Sequence, residues 1–236
     1  MPADTSAAVS VGGLVALTMT DYPGQLAAAL FLQGCPWRCV YCHNPHLQGC
    51  GTPTHAWDSI RGFLSRRRGL LDAVVFSGGE PTAQPGLADA LGEVREMGFL
   101  TGLHTGGIYP RRLADVLPLV DWVGLDIKAA PPDYGRVTGC GPTTGARAFE
   151  SLQLVLQRAN SYEVRTTVHP DWLDEASTLT LGLDLAAMGV AHYALQEYRA
   201  PRGPATDTTP PHEPLSEMLC ERLRPHFETF TVRRAT

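Results

Sequence analysis

The sequence predicts an α/β fold of parallel βα units, packed as an open sheet or a barrel. Three observations predict it. Short apolar runs alternate about six times with longer stretches of helical periodicity, and that alternation builds parallel sheets. Glycine and proline fall between the runs, where turns and helix ends belong. The chain has 236 residues, 44% hydrophobic and 18% charged, which is the composition of a folded protein able to bury a sizeable core.

In chain order, residues 1–10 are small and polar and are expected to fray. Two apolar segments, Gly13–Thr20 and Leu26–Gln33, flank the turn signal Asp21-Tyr22-Pro23-Gly24. Strands are expected at Ala28–Leu32, Ala73–Phe76, Leu100–His104, Trp122–Ile127, Glu163–Val168 and His192–Gln196. Helices are expected at Trp57–Arg67, Pro85–Met97, Pro110–Leu117, Ala146–Ala159 and Leu173–Met188. Pro85 and Pro110 suit a first helical turn, and Gly98 and Gly189 suit positions just past a helix end. Arg199–Pro214, rich in Pro and Thr, reads as a loop. It leads to a last helix near Leu215–Arg224 and a short strand at Thr229–Val232. The whole chain, 1–236, reads as one domain with a core at about 26–198 and an extension over 199–236. In such folds functional residues gather at the carboxyl ends of the strands.

Charge narrows the function. The formal net charge is −5, and no basic run offers a footprint for nucleic acid or an anionic membrane. Arg66-Arg67-Arg68 reads as a solvated helix end. No stretch approaches the ~20 apolar residues of a membrane span, and the first ten residues lack the basic start of a signal peptide. A cytoplasmic protein is expected. Four of the six cysteines, Cys35, Cys39, Cys42 and Cys50, crowd one stretch, while Cys140 and Cys220 lie apart. In a reducing compartment such a cluster means metal ligation or catalysis rather than a disulfide framework.

The stretch Gly34-Cys35-Pro36-Trp37-Arg38-Cys39-Val40-Tyr41-Cys42-His43-Asn44 directly follows the first expected barrel strand. Its C-x3-C-x2-C spacing lets three thiolates curl around one centre and leaves a fourth position open. Structural zinc closes that position, and His43, His46, Cys50 or His55 could supply the fourth ligand here. An iron–sulfur cluster on three cysteines instead leaves one iron free for a substrate or cofactor. Both readings stand on spacing alone, with Cys50 incidental in the second.

Further strand ends carry chemistry. Val75-Phe76 runs into Ser77-Gly78-Gly79-Glu80, where paired glycines allow close backbone approach and a carboxylate follows. Asp126 and Lys128 share one face of their strand by the period of two, as a rim ion pair or a ligand contact. Leu103-His104-Thr105-Gly106-Gly107 closes another strand, and Arg165 stands on the next one, as a structural or a functional group.

The cysteine motif with an aromatic before its last cysteine, followed by Gly78-Gly79-Glu80, resembles the radical S-adenosylmethionine superfamily over roughly residues 10–200. The resemblance implies a partial (β/α)6 barrel with an N-terminal strand and a C-terminal extension. It implies a [4Fe–4S] cluster on Cys35, Cys39 and Cys42, whose fourth iron is chelated by S-adenosylmethionine. Tyr41 would lie by the adenine and Gly78, Gly79 and Glu80 would hold the methionyl amine. Asp126 and Lys128 would contact the cofactor, Arg165 its carboxylate, and His43 and Thr105 would join the cofactor site. Among Gln196, Glu197, Tyr198 and Arg199, one would reach the ribose. Related activases often carry Asp where His104 stands, which bears on a monovalent-cation site beside Asp126.

Within the superfamily, Asp21-Tyr22-Pro23-Gly24, Cys42-His43-Asn44-Pro45 and Leu195-Gln196-Glu197-Tyr198-Arg199 resemble the activating proteins of anaerobic ribonucleoside-triphosphate reductase. The implied reaction is reductive cleavage of the cofactor to methionine and a 5′-deoxyadenosyl radical, which takes hydrogen from a partner's backbone glycine. No side-chain acid or base is then catalytic. The implied partners are that reductase and an electron donor such as flavodoxin or ferredoxin, without nucleic acid or membrane. Two other readings remain: a small-molecule enzyme similar to 7-carboxy-7-deazaguanine synthase, and a non-catalytic zinc- or cluster-binding protein.

Overall fold

A computed structural model describes residues 9–199 and 215–235. Eight strands form one sheet in sequence order. The first, β1 (Val11–Thr18), pairs antiparallel with β2 (Ala27–Leu32). From β2 onward every pairing is parallel, through β3 (Ala73–Gly78), β4 (Leu100–Thr105), β5 (Trp122–Asp126), β6 (Tyr162–Val168), β7 (His192–Glu197) and β8 (Thr229–Arg233). The six expected parallel strands are therefore present, and β8 adds a seventh. The sheet curls without closing, because β1 and β8 are its two ends. No described helix is long and apolar enough to cross a membrane.

The strand period of two sorts each side chain to one of two faces. On β2, Ala28, Leu30 and Leu32 join Phe76, Leu103 and Val164 beneath the helices, all at 0% exposure. Burial of each large side chain there contributes on the order of 1.5–3 kcal/mol. Ala27 and Ala29 point the other way, into the barrel, where they meet Val75, Tyr22 and Trp122. Tyr22 comes from the turn after β1 and stacks on Trp122 at 5.2 Å between centroids. It plugs the lower barrel, which alanines on β2 and Gly102 on β4 make room for. A Cβ at Gly102 would stand 3.1 Å from the Tyr22 ring.

The connections are α1 (Trp57–Ser65), α2 (Leu87–Glu96), α3 (Pro110–Val116), α4 (Tyr134–Thr138), α5 (Thr144–Arg158) and α6 (Glu175–Ala187), with α7 (Glu217–Leu223) preceding β8. Pro110 opens its helix, and Gly98 and Gly189 take positive φ just past theirs. Arg66, Arg67 and Arg68 are exposed where α1 ends.

Three expectations need correction. Pro85 lies in a turn and α2 begins at Leu87, because Pro81–Ala83 already forms a 3₁₀ turn that reorients the chain. At the N-terminus Val9 is buried. Ser10 is held by Gln84 Oε1 and Gln33 Oε1, so the chain is pinned from residue 9. Helix α4 was not expected at all. Of the expected loop Arg199–Pro214, residues 200–214 lie outside the described residues.

Candidate active site

A cavity of about 920 Å³ opens at the carboxyl ends of the strands, and of the residues expected at the cofactor and cluster site all but Tyr198 line it. Cys35, Cys39 and Cys42 form one wall, with Tyr41 and His43. Gly78, Gly79, Glu80 and Thr105 form the next, and Asp126, Lys128 and Arg165 the third. Cys50, Cys140, His46 and His55 do not line it.

The cysteine loop is pinned on both sides. After β2 the chain turns at Gly34, with φ +87°. The amides of Gly34 and Cys35 donate to the Leu47 and Gln48 carbonyls at 2.8 and 3.0 Å. Across the loop, Arg38 and Val40 amides donate to Thr138 and Val137 carbonyls at 2.8 and 3.0 Å. That docking is what the short α4 provides. Trp37 is buried against Gly106, where a Cβ would come 2.5 Å from its ring, and meets Tyr134 edge-on at 5.7 Å.

The three thiols suit a metal–sulfur group. Burial pushes Cys35 up to about 12 and raises Cys39 as well, so a thiolate at either needs a cation beside it. Three thiols share the cavity lining and no fourth thiol joins them there among the described residues. That donor set leaves one position open, as an iron–sulfur cluster on three cysteines does and a closed structural zinc site does not.

Glu80 is 1% exposed, and its carboxylate is fully engaged. Oε1 accepts from the Thr82 amide at 3.1 Å, the Thr82 hydroxyl, and the Thr105 hydroxyl at 2.7 Å. Oε2 accepts from the Gly106 amide at 3.0 Å. Burial raises its pKa, and these four donors oppose the rise. The Glu80 amide donates to the Gly34 carbonyl at 2.9 Å. Gly79 packs on the same carbonyl, 2.5 Å from where its Cβ would stand. The glycine pair and the cysteine loop are thus one packed unit.

Asp126 collects two cations, Arg165 Nε at 2.8 Å and Lys128 Nζ at 3.5 Å. Burial alone would raise its carboxyl, but Arg165 and then Lys128 outweigh it and hold it at about 2. Burial works against the Lys128 charge, and Asp126, with smaller contributions from Cys39, Tyr41 and Tyr134, together more than offset it. Tyr134 fixes this strand end: its hydroxyl donates to the Asp126 carbonyl at 3.3 Å and accepts from the Lys128 amide at 3.1 Å.

His104 does not face Asp126 as a carboxylate would. Its Nε2 lies 2.7 Å from the Asp21 carbonyl and its Nδ1 3.3 Å from the Ser77 hydroxyl. A carbonyl only accepts, so Nε2 carries the hydrogen and Nδ1 accepts from Ser77. Burial, then the charge of Arg165, lowers its pKa to about 3. The ring is neutral.

Sequence reasoning missed His169 and Arg233. His169 joins the expected Tyr41, His43 and Tyr198 in a chain of ring contacts of 4.4–6.3 Å between centroids above the site. Position just past β6 was the available signal for His169. The Tyr41 hydroxyl is buried with no hydrogen-bond partner among the described residues. On the far wall Arg233 of β8 pairs in fork geometry with Glu163, at 2.8 and 3.0 Å, and reaches Gln196 at 3.3 Å.

The model of the radical SAM superfamily matches residues 30–179. A protein of Methanocaldococcus jannaschii described as "Putative glycyl-radical enzyme activating enzyme MJ1227" is 32% identical over 179 residues, covering 70% of each chain. The pyruvate formate-lyase-activating enzyme of Clostridium pasteurianum is 33% identical over 149 residues, 60% of each. That of Staphylococcus aureus is 33% identical over 138 residues, 52% of this chain and 55% of its own. The chain therefore spans less than two thirds of the latter two. Among solved structures, QueE from Escherichia coli superposes with TM-score 0.58 at 21% identity, covering 97% of this chain and 94% of its own. A structure of anSMEcpe with bound AdoMet gives 0.62 at 14% identity, covering 81% and 55%. With the motif, the barrel and the cavity in agreement, the chain belongs to the radical SAM superfamily, an enzyme family whose cofactors are a [4Fe–4S] cluster and S-adenosylmethionine.

Proposed function

We propose that this protein is a glycyl-radical-enzyme activase whose substrate is a backbone glycine of an anaerobic ribonucleoside-triphosphate reductase. The cluster and S-adenosylmethionine supply reductive cleavage and hydrogen abstraction when bound. The chain's own residues ligate, orient and exclude water, and none need act as acid or base. Cys35, Cys39 and Cys42 hold the cluster; Gly78–Glu80 with Thr105 shape the aminoacyl subsite; Asp126, Lys128 and Arg165 take the charged end; Tyr41 and His43 flank the adenine.

The observation that carries the reading is that both ends of the unclosed sheet reach the cavity. Its lining includes Met19, Thr20 and Asp21 after β1 and Thr231 and Arg233 on β8, the two ends of the sheet. A cavity bordered by both ends of an open sheet suits a protein loop better than a small metabolite. The names of the curated relatives support an activating role, and the Asp21–Gly24 turn favours the reductase as target. A cytoplasmic flavodoxin or ferredoxin is the proposed electron donor.

Electron paramagnetic resonance tests the proposal on this protein with S-adenosylmethionine, a reductant and candidate partners. A doublet glycyl-radical signal on the reductase, dependent on all three, is expected. Cofactor cleavage with pterin turnover and no such signal would move the function to the small-molecule reading.

A further inference from the structure

The outer edge of β1 has no strand beside it among the described residues, which is unusual for its composition. Only its start is covered, where the Val11 carbonyl accepts from the Thr54 and His55 amides at 2.9 and 3.2 Å. Edge strands are ordinarily protected from pairing by charge, proline or a covering segment. The run Val11-Gly12-Gly13-Leu14-Val15-Ala16-Leu17-Thr18-Met19 contains neither a charge nor a proline. Val15, Leu17 and Met19 are 41%, 58% and 71% exposed. Val15 pairs with Ala29, an inward-facing residue of β2, so its side chain borders the concave face.

The edge also leads somewhere. Immediately after it, Met19, Thr20 and Asp21 line the cavity. The Asp21 side chain is held by the Thr18 hydroxyl at 2.6 Å, and its carbonyl by His104 at 2.7 Å. A free backbone edge is satisfied by one kind of ligand, another extended backbone. An extended segment is also the form in which a glycine Cα–H is open to attack.

We infer that the protein substrate docks by adding a strand to the outer edge of β1, with Val15, Leu17 and Met19 receiving its apolar side chains. The edge then delivers the target glycine past Asp21 into the cavity. This rests on the activase reading and adds to it the docking surface. Main-chain pairing supplies affinity without demanding a particular sequence, and it repays part of the ordering cost of a flexible loop.

The test uses the cluster-loaded protein with S-adenosylmethionine under anaerobic conditions. The probes are synthetic peptides spanning the radical-bearing glycine of an anaerobic ribonucleotide reductase and of a pyruvate formate-lyase. Hydrogen–deuterium exchange should slow at residues 13–18 when a peptide binds. Leu17→Lys and Val15→Lys should each weaken the peptide Kd by about tenfold, as loss of a good apolar contact does, while iron content stays that of the parent protein. A peptide that binds and gains a radical without protecting residues 13–18, and equally well to Leu17→Lys, would overturn strand addition and leave the activase reading intact. Protection present without peptide and lost on dilution would assign the edge to a second copy of this chain and also overturn it. If no peptide binds and no partner gains a radical, the activase reading fails and the docking proposal fails with it.

Discussion

The Nε2 of His104 lies 2.7 Å from the carbonyl oxygen of Asp21, and the contact ties β4 to the turn that leaves β1. With Tyr22 stacked on Trp122 just below, it fixes one wall of the cavity. Burial and the nearby Arg165 charge keep the ring neutral against the pull of this bond, and that neutrality has a pH signature. The pKa of His104 falls from 6.5 to about 3 on folding. Between those values the unfolded chain binds a proton that the folded chain does not. The contribution is therefore complete above pH 6.5 and is lost as pH falls, at up to about 1.4 kcal/mol per unit. Urea midpoints at pH 7, 6 and 5 should decline for the parent protein. His104→Gln keeps an N–H for Asp21 and cannot titrate, so its decline should be shallower; an equal slope would refute the assignment. The window stays above the range in which Asp126, held at about 2, begins to contribute.

The cysteines divide by what they face. Cys35→Ala, Cys39→Ala or Cys42→Ala should each abolish the cluster, read as iron and sulfide per chain. Cys50→Ala and Cys140→Ala should keep full iron, since neither thiol lines the cavity. Cys220, on the buried side of α7, is 1% exposed, so Cys220→Ala should lower stability by about 1–2 kcal/mol without touching iron. Iron loss in Cys50→Ala equal to that in Cys39→Ala would mean a four-ligand site.

Gly79→Ala should cost iron although it removes no ligand. The added Cβ would meet the Gly34 carbonyl at 2.5 Å, and Gly34 immediately precedes Cys35. Real Cβ contacts do not approach that closely, so the cysteine loop must shift. Reconstitution should give a substoichiometric cluster in a folded chain, checked by circular dichroism alongside iron content. Full iron together with unaltered cofactor affinity would show that the two segments are not coupled.

This coupling also marks where sequence reading stops. The strands were legible because apolar runs are local, and the motif residues because strand ends collect them. Helix α4 was not: five residues carry too little periodicity, although Pro131-Pro132-Asp133 before it and Gly139, φ +65°, after it were punctuation that could have marked it. Tyr134 was missed for the same reason, and it is what fixes Asp126 and Lys128. The Tyr22 plug and the Arg233–Glu163 pair join residues 100 and 70 positions apart, which no local pattern reveals.

Glu80 has become a scaffold as well as a motif residue. In Glu80→Gln one oxygen becomes an NH2, so either Gly106 or the Thr82–Thr105 group faces a donor. An unpaired buried donor costs about 1–3 kcal/mol, and the loop bearing Thr105 and Gly106 should loosen. Affinity for S-adenosylmethionine should fall by about tenfold or more by that measure, with iron retained. Calorimetry on the cluster-loaded variant checks this, and an unchanged Kd would detach Glu80 from the cofactor subsite.

Asp126→Asn probes the charge balance on which cofactor orientation depends. Removing the carboxylate leaves Arg165 and Lys128, 10% and 15% exposed at the side chain, without their shared anion. Breaking a buried pair costs about 3–5 kcal/mol, and with Asp126 itself 31% exposed the expected loss is nearer about 2 kcal/mol. The consequence depends on which end of S-adenosylmethionine sits here. If its carboxylate meets Lys128 and Arg165, bound cofactor restores the missing negative charge. The destabilisation of Asp126→Asn should then shrink when cofactor is present. If its ammonium sat against Asp126, bound cofactor would add positive charge to two unpaired cations, and the penalty would grow. Thermal midpoints of parent and variant with and without S-adenosylmethionine decide between them, and the arrangement of Arg165 and Lys128 favours the carboxylate.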